Sequence, residues 1–300
     1  MSGACLDDAI AAEAERTARL WRGESGGPMR VGSDAHKRLF CRMLLDTHNP
    51  YKPAVIAWPQ LAEDARQRLV SLPIWDIAVQ TEGKAKARVA AYAERIVDPL
   101  LRQALDLDGF EEGRHKEVLS NMVAAYGIKL APEPPYLKPH DAEWAFLVTG
   151  YSECVDSFFA FGLFELAKRS GFFPTSLVDT FEPVMQEECR HILFFVNWAA
   201  WHRANLPWWK KPIFDARRLA VFGRLIQERM QTANDVGGDN FTMTGHESMG
   251  IDIDGGELMA VCLAENDRRM SGYDERLLRP KLVPRLARLA HRLLRARRKT

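Results

Sequence analysis

Apolar residues recur at intervals of three and four along most of this 300-residue chain, while the alternation typical of β-strands is rare. Because this spacing places the apolar residues on one face of an α-helix, it predicts an all-α protein. The apolar share of the sequence, 47%, is ordinary for a globular protein that buries a core. Every run of eighteen residues contains a charged side chain, so the sequence predicts no membrane-spanning helix.

Prolines and glycines divide the central part of the chain into four long helical stretches. Asp98 followed by Pro99 is a strong helix start, and Gly127 is a stop signal. The proline-rich segment 130–141 separates two pairs of helices, and a short turn joins the members of each pair. The predicted helices are Ile74 to Val97, Pro99 to Tyr126, Ala142 to Arg169 and Thr175 to Arg203. Two hairpins joined by one long crossover predict a four-helix bundle.

Shorter helical stretches flank this predicted bundle on both sides. The stretches before it are Leu6 to Trp21, an N-cap at Ser33 to Leu45, and one beginning near Gln60; those after it are Phe214 to Thr232, Glu257 to Met270 and the basic end of the chain. We therefore divide the chain into an N-terminal helical extension (1–73), the bundle (74–206) and a C-terminal helical extension (207–300). The loop histidines His48 and His246 receive no functional role.

The second helix of each predicted hairpin contains one motif, and the two motifs have the same spacing and lie deep in their helices. Residues three apart share one face of a helix, so each motif points a carboxylate and an imidazole in the same direction. One such pair is common on a solvated helix face, but two in equivalent positions are hard to obtain by chance. The residues are Glu112 and His115 in one motif and Glu188 and His191 in the other, each preceded by a second glutamate, Glu111 or Glu187.

The first helix of each hairpin carries carboxylates at the height of these motifs. Counted outward from the turns, Glu82 lies level with Glu112, and Asp156 lies level with Glu188. Glu153 is one turn from Asp156 on the same face. That helix is apolar nearly all round, and burial of an unpaired carboxylate costs on the order of several kcal/mol. Since the helix has no lysine or arginine within a turn of the two carboxylates, a metal ion is their simplest partner.

Two glutamate–histidine pairs and further carboxylates suit a dinuclear metal site. Carboxylates bridge hard cations, and imidazole binds iron, manganese or zinc. Glu111 and Glu187 would accept the outer N–H of a histidine across the bundle and so fix its tautomer. The predicted metal ligands are Glu82, Glu112, His115, Glu153, Asp156, Glu188 and His191.

In these residues, over about 74–205, the chain resembles the ferritin-like di-metal carboxylate superfamily. The resemblance implies a ferritin-like four-helix bundle that binds two iron ions, with manganese as the alternative, and reacts with dioxygen or peroxide. Rubrerythrin-like members carry two carboxylates a turn apart on the third helix, so Glu153 and Asp156 are alternative or joint ligands. Relatives of ribonucleotide reductase small subunits carry a radical tyrosine one turn after the first histidine. Leu119 and Phe195 occupy the equivalent positions here, which disfavours a tyrosyl radical.

The extra helices offer room for a substrate pocket or a docking surface. We therefore expect a di-iron oxidoreductase, an oxidase or monooxygenase of a small organic or lipid-like substrate, with dioxygen as co-substrate and an electron-donor protein. The alternatives are an iron-storage or peroxide-scavenging protein and a metal-free helical scaffold or membrane-docked accessory protein. Nearby aromatic residues would line an apolar cavity or simply form bundle core: Phe110, Phe158, Phe159, Phe194, Phe195 and Trp198.

The end of the chain is strongly basic. Residues 276–300 contain ten lysines and arginines and no acids, so residues 1–275 carry a charge of −9 in a chain of net charge +1. Within 280–299, leucines form one helical stripe with arginines beside it, a pattern that favours contact with an anionic membrane surface or an acidic partner. Alternatively, the leucines cover the bundle and the arginines neutralise its acidic surface. Nucleic-acid binding is not favoured. Five scattered cysteines and the absence of a signal-peptide pattern indicate the cytoplasm, with peripheral membrane attachment as the alternative.

Overall fold

The computed structural model describes residues 13–24, 27–235 and 255–297, which are helical over most of their length. The prediction of an all-α protein is confirmed: the extended contact in these ranges is an isolated bridge between Trp21 and Tyr273. None of the described helices is long and apolar enough to cross a membrane. The predicted loop that contains His246 lies largely outside the described residues, as does the start of the first predicted helix.

A helical segment over residues 13–19 precedes the complete helices. In chain order these are α1 (Asp34–Asp46), α2 (Glu63–Ser71), α3 (Trp75–Ala93), α4 (Pro99–Tyr126), α5 (Ala142–Ser170), α6 (Thr175–Thr180), α7 (Glu182–Asn205), α8 (Lys210–Asp235), α9 (Gly255–Ser271) and α10 (Leu282–Arg297). A short 3₁₀ turn, Pro53–Val55, lies between α1 and α2.

Four of these helices, α3, α4, α5 and α7, form an antiparallel bundle. Helix α3 packs along α4, and α5 packs along α7; the crossover places α3 beside α5 and α4 beside α7. Glu82 on α3 lies level with His115 on α4, and Ser157 on α5 lies level with Glu188 on α7. The first pair differs by three residues, about one helical turn, from the predicted pairing of Glu82 with Glu112, and the second differs by one residue from the register predicted for Glu188.

Local sequence explains where α4 and α5 begin. The carboxylate of Asp98 accepts a hydrogen bond of 2.9 Å from the backbone N–H of Leu101 and so caps α4. Asp141 caps α5 in the same way through the N–H of Trp144. Helix α4 ends at Gly127, whose φ of 69° is a left-handed conformation that favours glycine. Capped helix ends therefore fix the crossover at both of its ends.

One predicted helix is divided in the structure. The stretch predicted as a single helix from Thr175 to Arg203 breaks at Phe181 into α6 and α7. Pro183 lacks the amide N–H that would bond the carbonyl oxygen of Asp179, so the helical hydrogen-bond ladder stops there. Proline is tolerated in the first turn of a helix, and α7 accordingly begins with it.

The helices outside the bundle pack directly on it. Helix α1 lies against α4 and α7, where Phe40 is fully buried against Phe194 and His36 bonds Asn197. Helices α8 and α9 pack on α5, and α10 packs on α9 and α5. One hydrophobic cluster fills the bundle and its contact with α1, and a second lies between α5 and α9. The division of the chain at residues 73 and 206 stays a prediction.

Candidate metal centre

Helices α4 and α7 bring two glutamates and two histidines together inside the bundle. One ligand atom from each of these side chains lies within 4.8 Å of the corresponding atoms of the others. The four residues are Glu112, His115, Glu188 and His191. All four are buried, and Glu188, the least covered, is 8% exposed. A buried cluster of this composition is compatible with a di-metal carboxylate site.

The inward-facing atoms of the cluster lie close together without hydrogen bonding. Nδ1 of His191 is 2.9 Å from Oε1 of Glu112, and Nδ1 of His115 is 3.2 Å from Oε1 of Glu188. Both Nδ1 atoms and Oε1 of Glu112 nevertheless have no hydrogen-bond partner among the described residues. Buried nitrogen and oxygen donors that approach each other in this way suit a shared cation.

The outward nitrogen of each imidazole donates to a glutamate on the opposite helix. Nε2 of His115 is 2.9 Å from Oε2 of Glu187, and Nε2 of His191 is 2.9 Å from Oε2 of Glu111. The structure thus places Glu111 and Glu187 beside the histidines across the bundle. These hydrogen bonds fix the orientation of each ring and leave Nδ1 directed into the cluster.

An arginine in each motif pairs with one of these outer glutamates, and the sequence analysis identified neither arginine. The guanidinium of Arg190 lies 3.2 Å from Glu111, and that of Arg114 bonds Glu187. Both arginines are almost fully buried. A signal was present in the sequence, because the two motifs share the pattern Glu-Glu-x-Arg-His at 111–115 and 187–191.

Hydrogen bonds to α1 and to the residue after it fix the position of Arg190. Its Nε donates to the hydroxyl of Thr47 at 2.7 Å, and Nη2 donates to the carbonyl oxygen of Leu44 at 2.8 Å, both on or beside α1. Burial is the largest single influence on the pKa of Glu111 and acts to raise it, but the charge of Arg190 and the contacts with His191 and His48 together hold that pKa well below its usual value. The outer glutamate therefore stays ionised although it is buried.

Glu82 and Glu153 bring carboxylates to the cluster from α3 and α5. Oε2 of Glu82 is 3.6 Å from Nδ1 of His115, on the inward side of the ring. Burial and the charge of Glu112 raise the pKa of Glu153 well above its usual value, so Glu153 lies within the electrostatic field of the cluster. All four bundle helices therefore present carboxylates to one region.

Two further carboxylates lie near the site, of which one was predicted as a metal ligand and the other was not. Asp156, predicted as a ligand, accepts a hydrogen bond of 2.8 Å from the hydroxyl of Ser152 and is not in the four-residue cluster. Asp108 was not identified, although it lies four residues before Glu112 on the same helix face. It is buried 3.7 Å from Nε2 of His191, and burial raises its pKa to about 6.

Acidic side chains outnumber arginines around the cluster. The groups are the carboxylates of Glu82, Asp108, Glu111, Glu112, Glu153, Glu187 and Glu188 and the guanidiniums of Arg114 and Arg190. With all seven carboxyls ionised and both imidazoles neutral, the state in which they would bind metal, seven anions and two cations leave five unbalanced negative charges. Burial and neighbouring carboxylates raise the pKa of Glu112 to about 8. Two divalent cations would balance four of the five charges, so the donor set fits a pair of metal ions.

The loop that follows α1 covers the outer side of the site. Nδ1 of His48 is 2.7 Å from Oε1 of Glu111, and the hydroxyl of Tyr51 donates to Oε2 of Glu187 at 3.2 Å. A surface cavity of about 350 Å³ opens beside His48, Tyr51 and Phe110. Helical periodicity does not predict where such a loop lies, so no role for His48 could be predicted from the sequence.

The aromatic residues considered for a substrate cavity are mostly core. Phe194, Phe195 and Trp198 are buried in the bundle cluster, and Phe158 and Phe159 are buried in the cluster between α5 and α9. This burial favours the core interpretation for these five. Phe110 is different, because it is 58% exposed and its ring lies 6.1 Å from that of His48.

Comparisons of this chain with models of known protein families, with curated proteins and with solved structures give no match. The described residues establish an all-α protein whose bundle encloses a glutamate–histidine cluster. The inward donors lack hydrogen bonds, the outward nitrogens are anchored, and acidic side chains outnumber arginines. These three properties make the cluster able to bind a metal.

Proposed function

We propose that this protein is a di-iron carboxylate oxidoreductase that uses dioxygen to oxidise a small organic or lipid-like substrate. The geometry of the cluster supports this: ligand atoms of two Glu-x-x-His motifs on α4 and α7 lie within 4.8 Å of one another. Carboxylates of Glu82 and Glu153 on the other two bundle helices add to the set. Two such motifs and a glutamate from each of two further helices are typical of di-iron carboxylate bundles.

Most of the predicted ligands would hold the metals. His115 and His191 would bind through Nδ1, beside the carboxylates of Glu112, Glu188, Glu82 and Glu153. Asp156 stays an alternative ligand from α5, and iron is preferred over manganese because of the family resemblance. When bound, the metals would supply electrons to dioxygen and stabilise the negative charge that develops as it is reduced.

The chain's own residues would prepare the site and handle protons. Glu111 and Glu187 hold the Nε2–H groups, so the rings cannot turn and Nδ1 stays available. Burial keeps bulk water away from the cluster. Glu112, whose pKa is about 8 without metal, releases its proton when a cation binds. His48 joins Glu111 to the surface cavity and gives such a proton a route to solvent.

An aerobic Fe(II) titration of metal-free protein, with dioxygen consumption recorded, tests the proposal. We expect saturation near two irons per chain, because the donor set suits two cations. Glu112→Ala and His191→Ala should abolish that stoichiometry. His202→Ala is a matched control on α7, since His202 pairs with Glu143 at 3.1 Å outside the cluster, and it should retain two irons.

Other results would favour the alternatives. Uptake of tens or hundreds of irons would indicate an iron-storage protein, and faster consumption of peroxide than of dioxygen would indicate a scavenger. Retention of neither iron nor manganese would refute the metal site and leave a helical scaffold. If two irons are retained, reductants and small apolar compounds can be screened as electron donor and substrate. The rate of dioxygen consumption is the readout.

A further inference from the structure

Among the residues that the structure describes, helix α10 packs on the protein through one of its faces. Val283 and Ala287 are buried in the hydrophobic cluster between α5 and α9, and Ala290 packs against that cluster. These small residues recur at intervals of four and three, so they form a narrow inner stripe. The rest of the helix surface is left for solvent or for a partner.

A stripe of leucines runs along α10 beside the inner stripe, and none of the described residues covers it. The exposed fractions are 47% for Leu282, 54% for Leu286, 54% for Leu289 and 58% for Leu293. The stripe extends over about 17 Å, given a rise of ~1.5 Å per residue. The structure thus differs from the interpretation in which these leucines cover the bundle, because Val283 and Ala287 do so instead.

Arginines follow the far side of the leucine stripe. Arg285, Arg288 and Arg292 are exposed and form no ion pair with the described residues. Arg285 and Arg288 also line a cavity of about 480 Å³ between α9 and α10, together with Arg279 and Lys281. Asp267 is the single acid in that lining, so the cavity has an excess of positive charge and room for a phosphate-sized anion.

We propose that α10 docks this protein on an anionic lipid membrane, with the leucine stripe in the acyl boundary and the arginines on lipid phosphates. An exposed apolar stripe flanked by cations is the pattern of helices that lie in the membrane interface. The charge distribution fits the same surface: residues 276–300 carry ten cations and no acids, and residues 1–275 carry a charge of −9. An anionic surface attracts the tail and repels the rest of the chain. The proposal is independent of the metal site.

Vesicle co-sedimentation of the full chain tests this docking. We expect binding to vesicles of phosphatidylglycerol and phosphatidylcholine but not to phosphatidylcholine alone, and weaker binding at high salt. The double change Leu286→Gln and Leu289→Gln should lower the partition coefficient about tenfold or more by removing apolar contact. Arg285→Gln with Arg288→Gln should lower it about tenfold or more, since each cation near the surface contributes roughly fivefold.

Matched changes elsewhere separate docking from general effects. Leu219→Gln with Ile226→Gln alters two apolar side chains on α8 that are 74% and 56% exposed, and Arg38→Gln with Arg42→Gln removes two exposed cations of α1. These controls should bind vesicles as the unaltered chain does. Equal binding to both vesicle types would overturn the proposal, as would controls that lose binding equally. If the chain self-associates without binding vesicles, and the leucine change converts it to a monomer, the proposal is overturned and the leucine stripe contacts a second copy of the chain instead.

Discussion

At the scale of single residues, each half of the site uses the same five-residue pattern, in which the arginine pairs with the other half's outer glutamate. A carboxylate beside a guanidinium stays ionised even when buried. Ionised Glu111 is therefore a strong acceptor for the Nε2–H of His191. Such a hydrogen bond increases the basicity of Nδ1, the atom that faces the cluster. Arg190 would thus affect a bound metal ion that it does not contact.

The change Glu111→Gln tests this influence. Glutamine keeps an acceptor oxygen but removes the charge, so the affinity for Fe(II) should fall by about 10- to 100-fold. The stoichiometry should remain near two irons per chain, because Glu111 is not among the inward-facing donors. Calorimetric titration measures both quantities. Glu117→Gln, an exposed glutamate on the same helix, is the control and should bind as the unaltered protein does. An unchanged affinity in Glu111→Gln would contradict the prediction.

The buried carboxyl of Glu112 predicts an unusual dependence of stability on pH in metal-free protein. Burial raises its pKa from 4.5 to about 8, so between these values the folded state holds a proton that the unfolded state has released. Stability therefore falls as pH rises through this window. The pKa values of His115 and His191 also lie well above 6.5, because nearby carboxylates outweigh burial. Their stabilisation is present below 6.5 and is lost as pH rises through the folded-state pKa values.

Urea unfolding in the presence of a chelator, at pH values of about 5.5, 7 and 8.5, measures this dependence. The free energy of unfolding should decrease across the series. Glu112→Gln removes one titrating group and should flatten the decrease. The lowered pKa values of Glu111 and Glu188 act only below about 4.5 and so do not oppose it. A free energy that rises with pH over this range would rule out the assignment of raised pKa values.

At the scale of helices, α9 approaches α5 so closely that a glycine is needed between them. A Cβ atom added at Gly162 would lie 2.3 Å from Sγ of Cys262 and 3.0 Å from its Cα. The Cα belongs to the backbone of α9, so rotation of a side chain cannot relieve the whole contact. The sequence contained this glycine within an apolar helix, but only the packing of the two helices gives a reason for it.

We expect Gly162→Ala to destabilise the protein by about 1–3 kcal/mol, the usual cost of overpacking a core. Gly223→Ala on α8 is a matched control, because a Cβ at Gly223 would meet no atom within 4 Å. That change should stabilise the helix by about 0.5–1 kcal/mol, since alanine has the higher helix propensity. The midpoints of urea unfolding measure both effects. Stabilisation of both variants would show that helix propensity, not the contact with α9, decides the outcome at Gly162.

Helix boundaries were predictable where one residue decides them locally. Asp98 and Gly127 act through their own side chain or backbone conformation, and α4 has its predicted bounds. The break at Phe181 was not predicted although Pro183 is a sequence signal for it, because the helical spacing of apolar residues continues across the proline. Periodicity reports which face is buried and does not report where the hydrogen-bond ladder is interrupted.

At the scale of the molecule, sequence spacing predicted the part of the site that lies within single helices. The pairs of glutamate and histidine follow from a three-residue spacing. Counting from the turn placed Glu82 within about one helical turn of its observed partner, His115 instead of Glu112. Contacts between distant segments were out of reach. His48 and Tyr51 belong to a loop whose position depends on how α1 packs across α4 and α7. Asp108 was missed because it lies outside both motifs.

The metal-free bundle concentrates carboxyl groups and imidazoles from four helices in one region, and this predicts that metal binding stabilises the whole molecule. Ligand atoms from α4 and α7 meet at the cluster, with Glu82 and Glu153 adding carboxylates from α3 and α5. Because unfolding separates these donors, a bound cation favours the folded chain. Free metal at a hundredfold excess over its dissociation constant should add about 2.7 kcal/mol per site to the free energy of unfolding.

Thermal unfolding under anaerobic conditions, with Fe(II) and with a chelator, measures this stabilisation. The midpoint should rise with Fe(II) concentration and return to the metal-free value when chelator is added in excess. His191→Ala removes one inward donor and should lose most of the increase, whereas His202→Ala, which alters a pair outside the cluster, should keep it. If Fe(II) raised the midpoint of His191→Ala as much as that of the unaltered chain, the stabilising metal would be bound elsewhere and the bundle would not need it.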